Sequence, residues 1–62
     1  MDAPELVNIS TVVKMTTLSK ATIYRMIKEG EFPKGVMISK KRRVWKKQDV
    51  VDTINNLLQA DQ

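Results

Sequence analysis

The 62-residue chain contains no cysteine and no histidine. Disulfide cross-links, thiolate nucleophiles and the commonest zinc ligands are therefore excluded together. Its aromatic residues are Tyr24, Phe32 and Trp45 alone, too few for the row of exposed rings on which single-stranded nucleic acid stacks. Phe32 and Trp45 are instead expected to close the core. Two glycines and two prolines leave no glycine-rich phosphate loop and no low-complexity linker. No apolar run approaches the roughly 18 residues of a membrane span. The opening "MDAPELVN" lacks the basic and apolar regions of a secretory leader, so a cytoplasmic location is expected. The seven acidic residues form no cluster suited to a metal ion or a general base. Asp49 and Asp52 lie three apart, but a helix-start role explains them better than a carboxylate pair. No catalytic residue, metal site or cofactor is expected, and an enzyme is disfavoured.

What is present is a single small domain spanning 1–62, with its ordered part expected at about 5–60. A domain of this length buries only about 60% of its unfolded surface, so every large apolar side chain matters. The net charge is +4. All eleven basic residues lie between Lys14 and Lys47, while acidic residues alone occupy the two ends. Six of the eleven fall within "VMISKKRRVWKK", Val36 to Lys47. A solvated turn has no need of four cations in a row, which repel one another unless an anion approaches. A basic middle between acidic ends suits a polyanionic partner, nucleic acid first.

Along the chain, "NISTVVKM" predicts a short helix capped by Asn8 or Ser10, with Ile9 as a hydrophobic staple. Thr16 and Thr17 are expected in a turn, Leu18 as a core anchor and Ser19 as an N-cap. "KATIYRMIKE" predicts a helix from Lys20 to about Glu29, with Ile23 and Ile27 on its inner face. Gly30 ends it in the left-handed conformation and Pro33 forbids continuation. "VMIS" and "RVWK" predict two strands joined by a basic turn. "KQDVVDTINNLLQA" predicts a last helix with Val50, Ile54, Leu57 and Leu58 inward and Asp49 at the favourable end of its dipole. Met15, Met26 and Met37 are expected to fill gaps. The segments 1–4 and 60–62 are expected to be loose. The order is helix, tight turn, helix, basic hairpin, helix, a mainly α winged helix-turn-helix.

The second helix is the candidate for insertion into a major groove. With Ile23 and Ile27 turned inward, Ala21, Thr22, Arg25 and Lys28 are expected on the opposite side. Ala21 permits close approach, Thr22 suits a base edge or a thymine methyl, and Arg25 can fork onto guanine. Ser19 and the free N–H groups at the helix start, where Lys20 also stands, suit a phosphate, as does Lys28. Tyr24 lies at the edge of the apolar face. Taken alone, this helix is equally consistent with a solvated amphipathic surface. The wing residues Lys40, Lys41, Arg42 and Arg43 tip the balance, because each neutralised phosphate releases condensed counterions.

The segment "LSKATIYRMIKEGEFPKGVMISKKRRVWKKQDVVDTI" resembles the AlpA family of small phage and mobile-element regulators, related to excisionase and MerR-type DNA-binding folds. The resemblance rests on the joint occurrence of "TIYR", "GEFPK" and "RVW" and covers about Val7 to Leu58. It implies a winged helix-turn-helix with Ser19, Lys20, Thr22, Tyr24 and Arg25 in the recognition helix and Lys40 to Arg43 in the wing. Two departures stand out: Thr17 occupies a position where many relatives have glycine, and Thr53 or Ile54 one where many have a second tryptophan. The implied role is an excisionase, or recombination directionality factor, that binds and bends attachment-site DNA beside a separate integrase. The alternatives are a transcriptional regulator of an integrase or other element gene, and an adaptor that binds protein through an exposed apolar face of the last helix, at Val51 and Leu58, without touching DNA. The expected setting is double-stranded DNA in the nucleoid of a bacterial host, with a protein that is a monomer in solution and assembles on DNA.

Overall fold

The computed structural model describes residues 5–59. The expected looseness of 1–4 and 60–62 lies outside the described residues. The chain runs β1 (Leu6–Asn8), α1 (Ile9–Thr16), α2 (Lys20–Lys28), β2 (Val36–Ser39), β3 (Arg42–Lys46) and α3 (Lys47–Gln59). The strands form one antiparallel sheet in the order β1-β3-β2. Three helices with this small sheet make a winged helix-turn-helix, as expected.

The strand β1 is an addition to the expected layout. Only Val7 of its three residues is buried, so it carries no alternating run that sequence periodicity can register. It pairs with the centre of the sheet, Val7 opposite Trp45 and Asn8 opposite Val44. That pairing moves the start of α1. Asn8 is the N-cap, its Oδ1 accepting from the Thr11 N–H at 3.0 Å; Ser10 is not the cap, and Ile9 is already helical. The staple position before the cap is therefore Val7, not Ile9. Val7 and Val12 are both members of the buried core.

Thr16 is the last residue of α1 rather than part of the turn. Thr17 ends the helix with φ 62°, its N–H donating to the Val13 carbonyl at 2.8 Å. A β-branched residue in the left-handed region costs roughly 1–2 kcal/mol, which is why glycine suits this place and why Thr17 is a burden here. The turn is completed when the Thr16 hydroxyl accepts from the Leu18 N–H at 3.2 Å. Ser19 caps α2 as expected, its hydroxyl accepting from the Thr22 N–H at 3.1 Å. At the far end the last helical residue is Lys28, Glu29 is the C-cap, and Gly30 has φ 78°.

The core is built from Val7, Val12, Ile23, Phe32, Trp45 and Val50, with Leu18, Met15, Met26, Ile27 and Ile54 packed around them. Trp45 is 1% exposed and Phe32 4%. Their rings meet edge to face, with centroids 6.4 Å apart, a favoured aromatic geometry. Three expectations of burial fail. Leu57 and Leu58 are 40% and 69% exposed: α3 has 13 residues, and its last turns run past the end of so small a core. Met37 is 49% exposed, because β2 is an edge strand whose four residues all face solvent.

Candidate nucleic-acid interface

The helix-turn-helix consists of α1 and α2 joined by Thr17, Leu18 and Ser19. The hairpin β2–β3 stands beside it. Between them lies an open cleft of about 360 Å³, lined by Asn8, Ile9 and Ser10 of the α1 start, Lys20 and Tyr24 of α2, and Met37 with Lys40 to Arg43 of the hairpin. Five of these side chains are cationic and none is anionic. Among the described residues the one ion pair is Lys47 with Glu5, at 3.7 Å, so the cations of the cleft have no carboxylate partner. Such a concentration of like charge, walled by low-dielectric protein, focuses a positive potential outward.

Lys20 and Tyr24 face the hairpin because they are spaced i, i+4 and share one ridge of α2. Tyr24 is 37% exposed. Lys28 continues that ridge and is exposed, but it lies beyond the walls of the cleft. Ala21 and Arg25 stand on the neighbouring ridge, about 100° around the helix, and both are exposed. Thr22 departs from the expected outward face. It is half-buried, and its hydroxyl accepts from the Ser19 hydroxyl at 2.9 Å. Ser19 and Thr22 are thus mutually engaged at the start of α2, and Ser19 spends its oxygen on the cap.

The turn of the wing is also one residue shorter than the expected Lys40–Arg42. Strand β3 begins at Arg42, which leaves Lys40 and Lys41 as the turn. Arg42 pairs with Ser39 and Arg43 with Met37, across an irregularity between Met37 and Ser39. The extra residue twists the end of the ribbon, a feature that a charge run conceals. Lys40, Lys41 and Arg42 are exposed, whereas Arg43 is half-buried and donates from Nη1 to the carbonyl of Lys34. Sequence reasoning missed the contribution of Asn8, Ile9 and Ser10 to the cleft, because it depends on β1 bringing the start of α1 against the hairpin.

Among the described residues no group of three or more Asp, Glu, His or Cys side chains stands close enough to hold a metal ion. No helix there is long and apolar enough to cross a membrane.

The model of a family described as "Prophage CP4-57 regulatory protein (AlpA)" matches residues 5–56. No curated protein and no solved structure gives a significant match.

Proposed function

The chain belongs to the AlpA family of regulatory proteins, and from that premise we propose that it binds double-stranded DNA of a phage or other integrated element and performs no catalysis of its own. The observation that carries this reading is the cleft between α2 and the hairpin, with five cations and no acid on its walls. A duplex presents about one negative charge per 1.7 Å of its axis. A helix flanked by a cationic ribbon meets such a lattice at two places at once, with α2 in the major groove and Lys40, Lys41 and Arg42 on the adjoining backbone. Arg25, exposed on the outer ridge of α2, reads a base, while Lys20 and Lys28 hold phosphates.

Two tasks use this same face. One is that of an excisionase: copies bound side by side near an attachment site bend the DNA and help a separate integrase to excise the element. A smooth bend of about 40–90° costs on the order of 1–6 kcal/mol, more than one small module would supply alone, so this task needs several monomers assembled on DNA. The small size of the domain favours it. The other is regulation of transcription of an integrase or other element gene, which the family description favours. Gel shifts and footprints on an attachment region and an integrase promoter, at two salt concentrations, test the common premise; failure to retard any duplex at low salt would overturn it. An excision assay with purified integrase then separates the tasks. Excision that depends on this protein supports the first, and altered transcript levels without any change in excision support the second.

A further inference from the structure

Arg43 and Trp45 are two residues apart on β3 and so project to one face of the sheet. Each sends a side-chain N–H into the segment that joins α2 to β2. Trp45 Nε1 donates to the Pro33 carbonyl at 2.6 Å, and Arg43 Nη1 donates to the carbonyl of Lys34. The next residue, Gly35, has φ 72°, and a Cβ placed on it would stand 2.5 Å from the Val44 carbonyl oxygen. Three consecutive residues of the connecting loop are therefore laid flat along β3. This loop links the end of α2 to the hairpin in the chain, so its seating, together with the packing of β1 and α1, bears on how far Lys20 and Tyr24 stand from Lys40, Lys41 and Arg42 across the cleft.

Within the duplex-DNA reading above, we infer that Arg43 is a positioning residue: it fastens the α2–β2 loop to β3 and sets the opening of the cleft, and is not one of the wing's phosphate ligands. Its charge lies at the cleft wall, which is why a count of basic residues groups it with its three neighbours. Its half-buried position and its bond separate it from them. The guanidinium suits the task because it is planar, permanently charged and rich in donors, so one N–H can hold a carbonyl in a fixed direction. A lysine ammonium at the same place keeps the charge and loses that direction.

The test uses the full chain and compares Arg43→Lys with Arg42→Lys, which preserve net charge. Binding to the footprinted site is measured by fluorescence anisotropy well below each variant's melting temperature. R42K, at a phosphate ligand whose charge is kept, is expected to weaken binding by about two- to threefold, and R43K by roughly tenfold, the scale of one lost contact. The salt slope of R43K is expected to stay at the wild-type value. In the DNA-free protein, the Arg43 guanidinium N–H signals are expected to exchange slowly with water, and those of Arg42 rapidly. Equal binding by R43K and wild type overturns the inference, whether or not R43K melts earlier. So does rapid exchange at Arg43 in the free protein. Should Arg43→Gln reduce the salt slope as much as Arg42→Gln, by about 0.9 unit, Arg43 is a phosphate ligand after all. Wild-type protein that binds no duplex overturns the DNA reading itself and the inference with it, whereas binding by wild type with any of the other adverse results overturns the inference alone.

Discussion

Helices α2 and α3 each lay one apolar stripe against the same core, anchored by Ile23 and Val50, both fully buried. Their outer surfaces differ. From Lys20 to Lys28, α2 shows Lys20, Arg25 and Lys28 and contains no acid. Along α3 the exposed residues include Gln48, Asp49, Asp52, Asn55, Asn56 and Gln59, and its one basic residue, Lys47, is paired with Glu5. By shape alone either helix fits a major groove. A phosphate backbone meets only attraction at α2, and carboxylates at α3. The neighbours reinforce the contrast, since α2 has the hairpin's cations beside it, while the end of α3 carries the exposed Leu57 and Leu58. Periodicity makes a helix and packs it; the charge on the remaining face, and what stands next to it, decides what it meets.

The largest expected effect removes the support common to both helices. Trp45 packs against Phe32, bonds to Pro33 and is 1% exposed. Trp45→Ala should cost about 3–5 kcal/mol, enough to unfold so small a domain. Loss of the cooperative denaturation transition by circular dichroism checks this; a cooperative, wild-type-like melt would show that the core lies elsewhere.

Neutralising the wing addresses the comparison directly. The triple change of Lys40, Lys41 and Arg42 to Gln should weaken duplex binding on the order of a hundredfold near physiological salt and lower the salt slope by about 2–3 units. Changing Gln48, Asn55 and Gln59 on α3 to Ala should leave both quantities unchanged. Comparable losses from the two triples, measured by anisotropy titration, would mean that the surfaces do not differ in the way described.

Within the cationic surface, Arg25→Ala should cost roughly 1–3 kcal/mol at the specific site and relax the preference at one base pair. Equal weakening on specific and random duplexes would reassign Arg25 to the backbone. Next in size is Thr17→Gly. It relieves a β-branched residue at φ 62° and should raise stability by about 1 kcal/mol, read from the urea midpoint, without changing DNA affinity. Smallest is Leu58→Gln on the exposed end of α3, expected to stay within about 0.5 kcal/mol and to leave duplex binding intact. A variant that loses function in the host while binding DNA normally would show that this end of α3 engages a protein.

Much of the fold was legible because its elements carry local signals. Ser19 and Gly30 bracket α2, the β-branched residues on either side of the basic turn mark β2 and β3, and the spacing of Val50 and Ile54 orients the first half of α3. The misses share a cause. Strand β1 has three residues and one buried side chain, so only its partner β3 gives it a structure. Leu57 and Leu58 continue a correct helical stripe, but periodicity cannot report where the core beneath it ends. At the site, the cationic character of α2 and the hairpin was plain from composition. That Arg43 spends an N–H on Lys34 depends on a partner brought close by the packed fold, whereas the Ser19–Thr22 bond is local to the first turn of α2 and hidden only by the outward position that the helical spacing gave Thr22.

The sequence by itself determined the kind of surface this protein offers. A chain without cysteine or histidine, with every cation in its middle, carries a cationic central segment and no thiol or imidazole, because charge and reactive groups are properties of residues and survive any folding. The tertiary structure decided which of those cations act together. Lys20 and Lys41 line one cleft only because β1, α1 and the hairpin close around α2, and Arg43 differs from Arg42 only because a loop carbonyl lies within its reach. Distances between groups far apart in the chain are set by packing, and no local pattern encodes them.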